Sequence, residues 1–105
     1  SVQDGPSLVA ALTNLIFNAM HCAKSIEVHA ASSGTRSLIF EVVDDGPGPA
    51  PEVQATLFDP FVTTKAEGLG LGLPLVQRMA KRLGGDVNWR RSNEHTIFTL
   101  TVEVQ

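Results

Sequence analysis

A two-layer α/β sandwich, with a mixed, mostly antiparallel sheet and helices packed on one face, is the fold class this sequence predicts. Three observations lead there: two stretches repeat apolar residues at helical spacing, four others alternate apolar and polar residues or run apolar on both faces, and glycine- and proline-rich segments punctuate them. The chain has 105 residues and is 43% hydrophobic, enough for one core and too short for two ordinary domains. Residues 1–105 therefore read as a single domain, and the opening "SVQDGPS", without an initiator methionine, reads as a cut from a longer chain.

The first helix is expected from about Ser7 to Ala23, where Leu8, Leu12, Leu15 and Ala19 recur at helical spacing beside Val9, Ile16 and Met20. Capping side chains between Asp4 and Ser7, and Pro6 with no amide hydrogen to lose, mark its start. "SIEVHAAS" then alternates Ile26, Val28 and Ala30 against Glu27 and His29, "SGT" turns, and "SLIFEVVDD" follows with apolar residues on both faces. This pattern predicts a hairpin whose second strand is the more buried. "DGPGPAPEV" is too rich in glycine and proline for regular structure, so Asp44 and Asp45 end a strand and enter a loop, with a short helix from Pro51 to about Thr56. After an irregular connection, Leu75, Val76, Met79, Ala80 and Leu83 form the apolar face of a second helix opposite Gln77, Arg78, Lys81 and Arg82. Gly84 and Gly85 can stop it. "DVNWRRS" and "TIFTLTVEV" make a terminal hairpin around "NEH", with Phe98, Leu100, Val102 and Val104 pointing one way.

Bulk composition excludes several functions. A net charge of -3 offers no general attraction for nucleic acid or an anionic membrane, so neither is expected as a partner. The longest apolar runs fall short of the roughly 18 residues a span needs, and no signal-peptide pattern is present. A cytoplasmic location without direct membrane contact is the expectation, whether or not the parent chain is membrane-anchored. The single cysteine, Cys22, rules out an internal disulfide and any multi-cysteine zinc site.

Four short elements could carry chemistry. "GLGLGL" places Gly68, Gly70 and Gly72 directly before a helix, where backbone amides and the helix N-terminus can approach a phosphate; a loop needing glycine only for its turns reads the same way. "NLIFNAM" sets Asn14 and Asn18 on one side of the first helix, roughly 60–120° from the centre of its apolar stripe. An amide oxygen there can join a Mg²⁺ shell, or both side chains can simply bond the helix or water. "DDGPG" fixes an aspartate at a strand end, able to accept from an exocyclic amine or to make an ordinary turn. "LFDPFVTTK" offers Lys65 and the hydroxyls before it to phosphate oxygens or to solvent.

In this order and company, over about Pro6 to Val104, the four elements resemble the ATP-binding catalytic domain of bacterial sensor histidine kinases, within the Bergerat-fold ATPases. The resemblance implies ATP and Mg²⁺ as ligands. Asn18 would be the metal ligand, with Asn14 one turn earlier also at the nucleotide. Asp44 would hold the adenine amino group, with Gly46 and Gly48 shaping the pocket. Phe58 and Phe61 would anchor the nucleotide lid, with Thr64 and Lys65 facing phosphate. Gly68, Leu69, Gly70, Leu71 and Gly72 would wrap the phosphate chain, and Thr96 would lie beneath the adenine. In the hydrolysing relatives the residue matching Asn14 is a glutamate that activates water. No catalytic residue is assigned with certainty beyond Asn14 at that position, and an asparagine cannot serve as a carboxylate base.

The implied activity is that of an ATP-dependent protein histidine kinase, catalytic domain only and not competent alone. Its partners would be a phosphoacceptor-histidine dimerisation domain of the same parent chain and a response-regulator receiver domain. A degenerate nucleotide-sensing or protein-interaction module is the alternative, and a serine kinase or ATPase of the same superfamily a more distant one. Several positions depart from the pattern. Pro74 replaces a serine or alanine, His21 replaces a basic residue, a glycine is missing within "SNEH", and the stretch between Lys65 and Gly70 is short, as in nitrogen-regulator sensor kinases. His29 and His95 are expected to be ordinary surface histidines, Trp89 to be core, and Arg90 and Arg91 to be solvated charge or a contact for the dimerisation hairpin.

Overall fold

Residues 5–20, 23–49, 51–56, 58 and 72–103 are described by a computed structural model of the chain. Helix α1 runs Gly5–Met20 and buries Ala11, Leu15 and Ala19, a stripe at i, i+4 and i+8. Helix α2 runs Gly72–Arg82. Its first turn accommodates Pro74, because a ring without an amide hydrogen costs nothing where the helix has no partner for that hydrogen. The buried side of α2 is Leu73, Val76 and Ala80, with Leu83 just beyond its end and Met79 partly covered. Leu75 does not belong to this face: it is 39% exposed, because it lies on the flank of the stripe that Leu73, Val76 and Ala80 make at i, i+3 and i+7.

Four strands follow the expected hairpins: β1 Ile26–Ser33, β2 Ser37–Asp44, β3 Asp86–Ser92 and β4 His95–Glu103. A short 3-10 helix covers Pro51–Thr56. The sheet order is β1-β2-β4-β3, and the expected mixed, mostly antiparallel sheet is antiparallel at each of these junctions. β1 and β3 are thus edges, which explains why Val28 is 48% exposed and Ala30 is exposed despite their alternation. β2 and β4 occupy the centre, and Val42, Phe98, Leu100 and Val102 are buried there.

Residues directly opposite one another in an antiparallel pair project from the same face. The register therefore defines rows across three strands. Phe40, Leu100 and Val87 form one row; Val42, Phe98 and Trp89 form the next; Asp44, Thr96 and Arg91 form the last. The first two rows pack beneath the helices as core, with Phe40 and Trp89 partly buried against it. The third row ends the apolar face with an acid, a hydroxyl and a guanidinium.

Two glycines stop α2 and fasten it. Gly84 adopts the left-handed conformation at φ 78°, and the Gly85 amide donates to Ala80 O at 2.8 Å. A Cβ on Gly85 would fall 1.7 Å from Thr101 O, so only glycine lets the chain pass this close to β4. The last turn, Asn93–Glu94, has positive φ at both residues, 50° and 64°. This is the two-residue hairpin geometry that follows the twist of the strands. His95 lies just outside the turn, opposite Ser92 as the first residue of β4. No described helix is long and apolar enough to cross a membrane.

Candidate functional site

The polar row at the sheet end forms the centre of the site. Asp44 is 5% exposed and Thr96 2% exposed. One Asp44 carboxylate oxygen accepts from the Gly46 amide at 2.9 Å. Burial pushes the carboxyl above its ordinary pKa; the Gly46 amide and the Arg91 guanidinium pull it back without cancelling the loss of solvent. A carboxylate accepts at several positions, so a single backbone donor leaves Asp44 with further acceptor capacity.

Asp45, next in sequence, points outward and has a structural task. Its Oδ1 accepts from the amides of Lys24 and Ser25, at 2.8 and 3.0 Å, and its own amide donates to Ser25 O. These donors hold its carboxyl below the ordinary range. The clamp fastens the connection between α1 and β1 to the end of β2, and so fixes the direction in which Asp44 leaves the strand.

Arg91 is exposed, as expected for a solvated charge, and its guanidinium also has a defined seat: its Nη1 donates to Gly46 O at 2.6 Å and to Thr96 Oγ1 at 2.8 Å. Gly48, at φ 80°, packs directly on this pair, and a Cβ there would meet Arg91 Cδ at 2.9 Å and Thr96 Oγ1 at 3.0 Å. Asp44, Gly46, Gly48, Thr96 and Arg91 are therefore one assembly, with the loop after β2 folded over the ends of β3 and β4. The signal that finds Arg91 is alternation: Val87, Trp89 and Arg91 share one side of β3, and Arg90 lies on the other. Arg90 indeed reaches Glu41 at 3.5 Å.

The asparagines lie in the helical layer above this face. Asn14 and Asn18 are half-buried on one edge of α1. The Asn14 amide nitrogen donates to Ala10 O at 2.8 Å, one turn back, which directs its amide oxygen away from the helix backbone. Phe58 packs edge-on against Phe98, with ring centroids 6.4 Å apart, and thereby covers the row next to Thr96. Gly72 is the first residue of α2. His21, Phe61, Thr64, Lys65, Gly68, Leu69, Gly70 and Leu71 lie outside the described residues. Both visible histidines have local partners: His29 meets Glu27 at 2.9 Å, and His95 Nδ1 meets Asn93 O at 2.7 Å.

A sheet with two helices over one face, ending in a buried acid beside a glycine loop, matches a known family. Residues 3–105 fit the model of the histidine kinase-, DNA gyrase B- and HSP90-like ATPases, and the chain belongs to that family. Sensor histidine kinase ZraS of Salmonella typhimurium is 37% identical over 105 residues, covering 96% of this chain and 23% of that protein. The catalytic domain of histidine kinase ThkA superposes with a TM-score of 0.83 at 25% identity, over 95% of this chain and 68% of that one. Full-length ShkA, in complex with AMPPNP, superposes with a TM-score of 0.81 at 29% identity, over 94% of this chain and 22% of that one. The chain spans about a quarter of the length of the curated relatives it first matches.

Proposed function

We propose that this domain binds Mg-ATP and donates its γ-phosphoryl group to a histidine on a separate dimerisation domain of the same parent chain, in two-component signalling with a response-regulator receiver domain. The observation that carries the reading is the burial of Asp44 beside Thr96 at the end of the sheet. A carboxylate in that position is costly to the empty fold and useful to a ligand that brings an amino group.

The residues present fit the ligand by their donor set. Asp44 offers an acceptor, Thr96 a hydroxyl, and Gly46 and Gly48 a backbone without side chains, as a flat base edge requires. Asn18 supplies a neutral amide oxygen, suited to a magnesium ion that draws its remaining oxygens from water and phosphate. Bound there, the metal would offset charge on the phosphate chain. Asn14 has no carboxylate with which to take a proton from water, so the site favours holding the nucleotide until an acceptor arrives. Lys65 and the glycines Gly68, Gly70 and Gly72 are assigned to the phosphates on sequence alone.

Calorimetry of the 105-residue chain with ADP and Mg²⁺ tests the reading. Binding is expected, with affinity falling roughly 10–100-fold in Asp44→Ala, the range for a hydrogen bond to a charged group. A flat titration at millimolar ligand would replace the kinase reading with that of an interaction module. Turnover of ATP by the chain alone, abolished in Asn14→Ala, would favour a hydrolase.

A further inference from the structure

Strand β1 ends the sheet, and seven of its eight residues are exposed, so neither of its faces is covered. Its register with β2 is unbroken from Ile26↔Asp44 to Ser33↔Ser37, and no bulge turns the strand away from a neighbour. It carries no lysine, arginine or proline, the residues that commonly keep an edge from pairing with another chain. The opposite edge, β3, carries Asp86, Arg90 and Arg91. The hydrogen-bond pattern shows which groups of β1 are turned outward. Just before the strand the Asp45 amide donates to Ser25 O, so Ser25 directs its backbone toward β2. Antiparallel pairs alternate, and the backbone groups of Ile26, Val28, Ala30 and Ser32 therefore point out from the sheet.

We propose that β1 is the contact surface for a second copy of this chain, whose own β1 pairs with it antiparallel about a two-fold axis through Val28. The inference does not depend on the nucleotide reading. An axis normal to the sheet sets one residue of the strand opposite its own counterpart. Centred on Val28, it places Glu27 opposite His29 of the second copy and His29 opposite Glu27 of the second copy. Both are pairs without backbone hydrogen bonds, where side chains approach most closely. Centred on His29, the two imidazoles would face each other; centred on Ala30, Glu27 would meet Ser33 and His29 would meet Ala31. Complementarity selects the first register. Within one chain Glu27 already meets His29 at 2.9 Å, so the two copies join two acids and two imidazoles in one cluster. Val28, 48% exposed in the single chain, then lies against its counterpart. Ala31 and Ser32 fall opposite Ser25 and Lys24 of the second copy, where small side chains leave room for the connection from α1.

Sedimentation equilibrium of the 105-residue chain measures the association. The pairing is short, so a dimer with a dissociation constant of about 0.1 mM is expected, as for the smallest specific interfaces. Val28→Pro removes an outward amide hydrogen and leaves the ladder with β2 intact; it is expected to weaken the dimer about tenfold or more. Glu27→Lys sets lysine opposite histidine, and His29→Glu sets glutamate opposite glutamate, so each variant alone is expected to stay monomeric at concentrations where the wild-type chain pairs. An equimolar mixture of the two restores both opposite-charge contacts and is expected to form a heterodimer. That mixture also decides the matter if Val28→Pro does not fold. A wild-type chain that stays monomeric at about 1 mM would leave the edge to a strand of some other protein and overturn the proposal. A dimer that survives Val28→Pro, or single variants that associate as well as their mixture, would overturn it too.

Discussion

At Asp44, burial outweighs one amide and one guanidinium, and the carboxyl is held above its ordinary range; at the exposed Asp45, the amides of Ser25 and Lys24 hold it below. The two adjacent side chains therefore impose opposite slopes on stability. A raised folded value means that the folded state binds more protons, so Asp44 costs stability as pH rises from the ordinary aspartate range through its folded pKa. A lowered value means that the Asp45 contribution is present above the ordinary range and is lost as pH falls through its folded pKa. Urea midpoints between about pH 3 and pH 8 check this. Asp44→Asn is expected to be at least as stable as wild type at neutral pH, with a flatter profile above the ordinary range. Asp45→Asn is expected to be less stable at neutral pH, the deficit closing under acid conditions. The sequence made Asp44 visible as a strand-end acid, but the division of labour within the pair depends on backbone donors 20 and 21 positions away.

Both hairpins could be read locally because their signals are local: alternating residues on either side of a short turn. The second turn carries its own weakness. Asn tolerates the left-handed region, but Glu94 occupies it at φ 64° with a Cβ that crowds the backbone. Glu94→Gly is expected to stabilise the chain by about 1 kcal/mol, read as a higher urea midpoint at unchanged slope. Gly85→Ala should act in the other direction, costing about 2–3 kcal/mol or blocking folding, because the added methyl coincides with the Thr101 carbonyl. That requirement lay partly beyond the sequence. A glycine pair after a helix announces a stop, which is Gly84; the closeness of Gly85 to β4 needs the packing of α2 on the sheet. Helix boundaries moved for a similar reason, since α2 begins at Gly72 within the segment that the sequence presents as a glycine loop.

Across the whole molecule, the site exists because β2 of the first hairpin pairs with β4 of the second, which places Asp44 opposite Thr96. Patterning within each hairpin says nothing about that junction, so the sequence predicted a sandwich without an order of strands. Arg91 and Gly46 meet across 45 positions for the same reason. A ligand seated at this junction would join the two hairpins and stabilise the fold by mass action. At a concentration of 100 times its dissociation constant, Mg-ADP should add about 2.7 kcal/mol and raise the melting temperature by about 10 °C or more. Asp44→Ala should lose most of that shift at the same ligand concentration.

The Asp45 clamp has a mechanical consequence as well. One carboxylate oxygen rivets the stretch beyond α1 to the loop carrying Gly46, so a load applied to the helix is delivered to the Asp44 loop rather than dissipated in the linker. In Asp45→Asn the rivet loosens, and amide exchange at Gly46 should quicken without any change to the helix itself.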